Sequence, residues 1–294
     1  MTDWDAIAAH IEAVTGTALT PEPPRQIGGG CINTAVRLSD GERAYFVKLN
    51  DASGLAMFEA EAAGLAALAA TNSLRVPAPL CTGTAGAQAY LVMEYISLGG
   101  RARHEAVALA GEQLAQLHRA SWEQFGWERD NTIGSNPQPN TPSSDWVDFW
   151  RDQRLGYQLE LAARNGHRGR LQERGARLLA GFGSLIDHAP VPSLLHGDLW
   201  GGNLGFGAAG EPVVFDPAVY YGDREADLAM TELFGGFGGD FYAAYRAAWP
   251  LEPGYSVRKS LYNLYHILNH LNLFGGGYGA QAEGMIDRLL AEIG

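Results

Sequence analysis

Cysteine is nearly absent from this 294-residue chain: Cys31 and Cys81 are the only two, too few for the disulfide framework of a small secreted domain. Positive charge is also scarce. Lys and Arg number 21 against 33 Asp and Glu, a formal net charge of −12, and the basic residues are scattered, which argues against a nucleic-acid partner. No apolar run approaches the length of a membrane span, and Met1-Thr2-Asp3-Trp4 opens into an amphipathic segment with no secretory signal. A reducing cytoplasm is therefore the expected address, with no membrane partner. Internal repeats of fixed period and long low-complexity tracts are missing too, which excludes solenoids, propellers and extended disorder. What remains is an ordinary globular composition, 46% hydrophobic and 18% charged, long enough for one large domain or two lobes around a cleft.

Apolar residues Trp4, Ile7, Ala8, Ile11 and Val14 recur at helical spacing. After a turn-rich stretch from Thr20 to Gly30, strands are expected at 34–38 and 44–49, joined by a hairpin at Asp40-Gly41. A helix over 54–70 and strands at 76–81 and 90–95 complete a sheet-and-helix lobe, 1–96. From 97 to 294 the pattern is mainly helical, with helices expected at 105–119, 146–163, 171–186, 225–234, 241–249, 257–274 and 280–293. The segment from Asp130 to Ser144, rich in Asn, Pro, Ser and Thr, reads as a long loop that covers a site or links helices.

Chemistry enters at His196-Gly197-Asp198-Leu199-Trp200-Gly201-Gly202-Asn203, followed by two short apolar runs, Leu204-Gly205-Phe206 and Val213-Val214-Phe215. Paired as a hairpin around Gly207 to Pro212, these runs set Asn203 opposite Asp216. Asn and Asp offer the oxygen ligands that Mg2+ takes beside nucleotide phosphates. Asp198, five residues before Asn203, is placed to accept the proton of an attacking hydroxyl, the base-then-metal order of phosphoryl transfer. Singly, each of the three is as well explained by capping a turn; jointly, with the intervening glycines, they point to an ATP-dependent phosphotransferase. The expected fold is α+β and bilobal, protein-kinase-like, with an N-terminal antiparallel-sheet lobe and a mainly helical C-terminal catalytic lobe.

Gly28-Gly29-Gly30-Cys31-Ile32-Asn33 precedes a strand and lets exposed N–H groups approach phosphates, although it lacks the full G-x-G-x-x-G spacing and any Walker-type Gly-Lys-Ser. Lys48 lies in the apolar run Tyr45-Phe46-Val47-Lys48-Leu49, where its charge needs a phosphate or a partner. Glu61 on the next helix is the assigned partner, and Glu59 competes for the role. Met93, Glu94, Tyr95 and Ile96, passing from strand to linker, offer backbone groups and apolar walls to an adenine. His266 and His270, four apart on a helix, have a metal-binding spacing but no third ligand nearby, and read as packing or surface histidines.

These residues resemble the fructosamine kinase (ketosamine-3-kinase) family, a branch of the kinase-like superfamily that also holds aminoglycoside and choline kinases. The resemblance covers nearly the whole chain, through Gly29-Gly30-Cys31-Ile32-Asn33, Met57-Phe58-Glu59-Ala60-Glu61, Phe125-Gly126-Trp127, Asp130-Asn131-Thr132-Ile133-Gly134, Trp146 to Leu155 and Leu199-Trp200-Gly201-Gly202-Asn203. It implies ATP-dependent phosphorylation of the sugar 3-hydroxyl of ketosamines, free or protein-bound, after which the unstable product releases the amine. Asp198 is then the base, Asn203 and Asp216 the Mg2+ ligands, and Lys48 with Glu61 the phosphate-positioning pair. Where protein kinases have Asp-Phe-Gly, this chain has Asp216-Pro217-Ala218, which leaves no Phe for an activation-loop switch. Trp200 is the candidate to cover the sugar ring, against the alternative of a core tryptophan. Asp223 is placed to cap the following helix and Asp227 to brace the catalytic loop. The resemblance also makes Cys31 a candidate redox switch, so a monomer or a redox-sensitive homodimer is expected, against the alternative of a small buried hydrophobe. Two rival functions remain: a kinase for another small alcohol or aminoglycoside, weakened by Arg258, Lys259 and the neutral Asn263, Asn269 and Asn272 in the C-terminal helices, and a non-catalytic nucleotide-binding pseudokinase.

Overall fold

Asp3 caps the first helix by accepting the Ala6 N–H at 3.0 Å, and Gly16, with φ of +69°, ends it in the left-handed conformation that glycine adopts without strain. This helix, α1 (Trp4–Thr15), buries Ile7, Ala8 and Ile11. The computed structural model describes residues 2–28 and 32–294 and contains two units, Met1–Ala106 with Gly205–Pro217, and Val107–Leu204 with Ala218–Gly294.

The first unit is built on β1 (Arg25–Ile27), β2 (Thr34–Ser39), β3 (Ala44–Asp51), α2 (Leu55–Ala70), β4 (Pro79–Ala85) and β5 (Gln88–Glu94). Its strands form one antiparallel sheet in the order β1-β2-β3-β5-β4. The Asp40-Gly41 hairpin forms where expected, with the Asp40 carboxylate accepting the N–H groups of Glu42 and Arg43. α1 with Val36, Leu38, Val47, Leu49, Tyr90 and Val92 makes one apolar cluster against the sheet. β1 was not expected within the turn-rich stretch; it is three residues long and too short to show alternation.

α2 buries Phe58, Leu65 and Leu68. With the 3-10 turn before it, the stretch Ala52–Ala70 is long and apolar enough to cross a membrane by length and composition, which corrects the expectation that no run comes near that length. It carries Glu59 and Glu61, packs on β4 and β5, and supplies an ion pair to the sheet.

The units also differ from a single division at 96/97. A hairpin of β9 (Leu204–Phe206) and β10 (Pro212–Val214) returns to the first unit: the Phe206 carbonyl accepts both Gly99 and Gly100 N–H at 3.1 Å, and Val214 N–H donates to the Arg75 carbonyl at 3.0 Å. Its second strand starts at Pro212, one residue earlier than expected, and Phe215 lies outside it.

The second unit contains α3 (His104–Leu117, entering from the first), the hairpin β6 (Asn131–Ile133) and β7 (Asn136–Gln138), α4 (Trp146–Trp150), α5 (Tyr157–Arg164), α6 (Arg170–Gly181), β8 (Ser193–Leu195), β11 (Tyr220–Gly222), α7 (Glu225–Leu233), α8 (Gly239–Ala248), α9 (Tyr255–Phe274) and α10 (Tyr278–Ile293). A continuous helix over 146–163 is replaced by α4, a π-helical segment at Arg151–Gly156, and α5. α9, nearly all of whose inner face is buried, packs on α5, α7 and α10.

Candidate active site

β8 and β11 pair antiparallel with Leu195 opposite Tyr220, and the chain leaves β8 directly into His196-Gly197-Asp198. Gly197 has φ of +82°, and a Cβ there would lie 2.0 Å from the Ala218 carbonyl oxygen, so the loop requires glycine for conformation and for space. Asp227 on α7 fastens the loop from below. Its carboxylate accepts His196 N–H at 2.7 Å and Gly197 N–H at 2.8 Å, and His118 Nε2 donates to it at 3.1 Å. Burial alone would raise the Asp227 pKa, but the hydrogen bonds from His118 and Gly197 outweigh it and hold the carboxyl below its ordinary value.

On the far side of the loop, the chain turns through a 3-10 segment, Gly201–Asn203. Asn203 is buried there, and its Nδ2 donates to the Asp198 carbonyl at 2.8 Å and, more weakly, to Asp198 Oδ2 at 3.4 Å. Asp198 and Asn203 are thus brought together by one short loop. Trp200 is no core residue. It is 39% exposed, with its ring edge-on to Phe234 at 6.2 Å, and a Cβ on Gly202 would meet that ring.

In the first unit, β3 sets Lys48 opposite Ala35 of β2 and Leu91 of β5, in the middle of the sheet. Lys48 is buried, and its Nζ donates to Glu61 Oε1 at 2.5 Å and to Asp216 Oδ1 at 2.7 Å. Glu61 is the partner; Glu59 is exposed. Burial would lower the Lys48 pKa, but the two carboxylates raise it above its ordinary value, so the amine is a fixed cation. Burial pushes Glu61 up while Lys48 pulls it down. Asp216 adopts φ of +58°, which Asp tolerates better than most residues, and its side chain is 46% exposed although it holds Lys48.

Of the glycine-loop residues, Gly28 is exposed with open space around its Cα, and the Asn33 side-chain Oδ1 accepts Asn50 Nδ2–H at 2.7 Å. Gly29, Gly30 and Cys31 lie outside the described residues, and so does the redox role expected of Cys31. Met93 is buried and flanked by Phe46 and Pro79 in the sheet. Glu94 turns its carboxylate to Arg75, and Arg37 lies 5.3 Å over the Tyr95 ring. Backbone groups free of sheet pairing therefore begin at Tyr95 and Ile96, after the positions where they were expected to start.

The long segment 130–144 does more than cover or link. Its β6–β7 hairpin sends buried Asn131 Nδ2 to the Val219 carbonyl at 2.8 Å and Gln138 Nε2 to the Ala218 carbonyl at 3.0 Å, bracing the strand that follows Asp216-Pro217. Asn140 donates to Asn131, and Tyr265 to Gln138, so the brace is itself tied down. Asn131, Gln138, Asn140 and His118 were not singled out beforehand, because their partners lie 80 or more residues away or in the loop itself. Asp223 stands one residue before Arg224, the N-cap of α7, and its carboxylate accepts Glu225 N–H at 3.0 Å.

Arg258 and Lys259, counted against an acidic cluster in the C-terminal helices, are each paired with acids: buried Arg258 with Glu225 and Asp187, Lys259 with Glu232. His188, Asp223 and Glu225 approach one another closely enough to suggest a metal, yet Arg258 already neutralises Glu225 through both carboxylate oxygens. His266 is buried and His270 half-buried, and among the described residues neither joins a three-ligand cluster.

A buried lysine held between two acids, and a separate His-Gly-Asp loop carrying an asparagine five residues on, recur together in phosphotransferases. The fructosamine kinase family model matches residues 3–292. The chain belongs to the fructosamine kinase family. It is 50% identical to a probable ketoamine kinase of Synechocystis sp. over 98% of this chain and 97% of that one. To the chloroplastic protein-ribulosamine 3-kinase of Arabidopsis thaliana it is 45% identical over 90% of this chain and 81% of the relative. A crystal structure described as a putative fructosamine-3-kinase from Haemophilus somnus superposes with a TM-score of 0.90 at 30% identity, covering 98% and 97% of the two chains. The protein is a kinase-fold enzyme of this family, and ATP is its phosphoryl donor.

Proposed function

We propose that the protein transfers the γ-phosphoryl group of ATP to the 3-hydroxyl of a ketosamine, a fructosamine or ribulosamine adduct of an amine, and so begins deglycation. Asp198 accepts the proton of the 3-hydroxyl as that oxygen bonds to the γ-phosphorus; the bond from phosphorus to the bridging oxygen breaks, and ADP leaves with the electron pair. Lys48, fixed by Glu61, holds the phosphates. Asn203 and Asp216 fit Mg2+, since an amide oxygen and a half-exposed carboxylate are hard oxygen donors. The ion would neutralise charge on the phosphates. Trp200 lies along the chain two residues past the base, exposed and able to cover the apolar face of the sugar. Glycine-loop N–H groups, including those of Gly28, Gly29 and Gly30, and the linker Tyr95-Ile96 would receive the nucleotide. A cytoplasmic address is part of the same proposal.

The observation that supports this reading most is Lys48 held at once by Glu61 and Asp216, because a buried amine kept charged inside a sheet serves an anion. The test offers ATP and Mg2+ with fructosyl-lysine, ribulosyl-lysine or an aminoglycoside and follows ADP release. Turnover of a ketosamine is expected, and Asp198→Ala should lower it by about 10²–10⁴-fold while ATP still binds. Undiminished turnover in that variant would remove Asp198 from the role of base. Turnover of the aminoglycoside alone would move the acceptor.

A further inference from the structure

We propose that Arg154 is a positioning residue for phosphoryl transfer, orienting a relay of buried side-chain amides that ends on the His196-Gly197-Asp198 loop. The inference rests on Asp198 as the base in the reading above and extends that reading to what keeps the base in place.

Arg154 lies inside the π-helical segment Arg151–Gly156, and its side chain is fully buried. Single π-helical turns recur at functional sites. A guanidinium stays charged at any pH the protein meets, yet each hydrogen bond of Arg154 goes to a neutral oxygen. Nη1 donates to the Pro139 and Gln153 carbonyls at 2.6 and 2.9 Å, and Nη2 donates to Asn140 Oδ1 at 2.7 Å. The rings of Tyr220 and Phe149 lie 4.0 and 4.7 Å from the guanidinium carbon, and the buried Nε has no hydrogen-bond partner. Stability alone would be better served here by an apolar side chain of similar size, so the cation has another use.

That use is direction. A guanidinium only donates, so Asn140 must turn its oxygen to Arg154 and its Nδ2 away. Nδ2 accordingly donates to Asn131 Oδ1 at 2.9 Å and to the Arg129 carbonyl at 3.1 Å. With its oxygen so taken, Asn131 sends its own Nδ2 to the Val219 carbonyl at 2.8 Å. Gln138 joins in parallel: the Tyr265 hydroxyl donates to its oxygen at 2.7 Å, and its Nε2 reaches Asn131 Oδ1 at 2.8 Å and the Ala218 carbonyl at 3.0 Å. Ala218 carries the constraint to the catalytic loop. Its N–H donates to the His196 carbonyl at 2.8 Å, and its carbonyl oxygen fills the space that a Cβ on Gly197 would need. Asp198 follows directly. A flipped amide anywhere along the relay sets oxygen against oxygen, and a group that cannot accept at the Arg154 end prevents the flip.

The test measures kcat, KM for ATP and the thermal midpoint in Arg154→Met, Arg154→Lys and Asn140→Asp, with Asp198→Ala as reference. The acceptor is whichever of fructosyl-lysine, ribulosyl-lysine or an aminoglycoside the wild type phosphorylates, so a wrong substrate class shows in the wild type and a wrong relay shows in the variants. Asn140→Asp decides most. It gives Arg154 a counter-charge and so keeps the segment folded, but its carboxylate cannot donate to Asn131, and the relay is broken. In Asn140→Asp and Arg154→Met, kcat should fall about 10–10²-fold while KM for ATP stays within about twofold. Arg154→Lys keeps a donor toward Asn140 and should recover most of the loss. Wild-type kcat in a folded Asn140→Asp overturns the relay. An Asn140→Asp that no longer folds shows a relay that carries the fold and not the chemistry, and overturns it equally. So does an Arg154→Lys as slow as Arg154→Met. Undiminished turnover in Asp198→Ala removes the base itself, and the relay then has no catalytic group to position.

Discussion

Two backbone N–H groups, of His196 and Gly197, and one imidazole N–H, of His118, converge on the Asp227 carboxylate. Every contact uses the carboxylate as an acceptor, and both oxygens are engaged. Asp227→Asn would turn an NH2 group toward at least one of those donors, so a loss of about 1–3 kcal/mol is expected in urea unfolding, with a lower kcat because the Asp198 loop loosens. The pH dependence has a definite sign. With its folded pKa depressed, Asp227 contributes stability that is full above the unfolded value of about 3.9 and is lost as pH falls through the folded value. The wild type should therefore lose stability through acid pH more steeply than Asp227→Asn, and parallel curves for the two would show that the carboxylate does not brace the loop. Asp198 and Asp216 stand in a different position. Asp216 is half-exposed and shares Lys48 with Glu61.

Helix α7 is joined to α9 by a charge cluster in which Arg258 spans Glu225 Oε1 and Oε2 at 3.0 and 2.7 Å, with Asp187 on its other nitrogen. Arg258 and Glu225 are both buried, so removing the arginine leaves a lone carboxylate out of water. Arg258→Met should cost about 3–5 kcal/mol in denaturant unfolding, and adding Glu225→Gln should recover part of it. A cost under about 1 kcal/mol, or no recovery, would contradict a buried pair. Such cross-helix pairs also mark the limit of what the sequence discloses. The Asp40-Gly41 hairpin, α1, and the Lys48–Glu61 pair were legible because their signals are local: turn chemistry, a 3.6-residue period, and one charge in an apolar run. β1, β6, β7 and β11 were not, since three residues carry no alternation. The Gln138–Ala218 contact could not be read from either segment alone. The π segment at Arg151–Gly156 escaped for a related reason. Arg154 within it reaches Asn140 and stacks over Tyr220 at 4.0 Å, and those tertiary contacts, not the helical period, set the backbone.

Across the whole molecule, the candidate catalytic groups fall within one apolar period or one short loop each, yet they belong to units that the chain visits more than once, Gly205–Pro217 returning to the first. The motif could be recognised from spacing, whereas the extent of each unit depended on hydrogen bonds accepted by the Phe206 and Arg75 carbonyls that no spacing announces. Charge is the property that acts on the molecule as a whole. A protein of net charge −12 must bind anionic nucleotide against its own field, and Lys48, already paired with Glu61 and Asp216, adds no long-range attraction. Salt at about 0.1 M screens charges beyond about 10 Å, so it weakens the distant repulsion while a buried ion pair hardly responds. The association rate of Mg2+-ATP should accordingly rise between low and physiological salt. For a ketosamine bearing an ammonium the same field attracts, and kcat/KM for that substrate should fall over the same range. Stopped-flow nucleotide binding and initial rates at constant pH separate the two. If both quantities fall together, local positive charge around the nucleotide outweighs the molecular field, and the opposite-slope expectation is wrong.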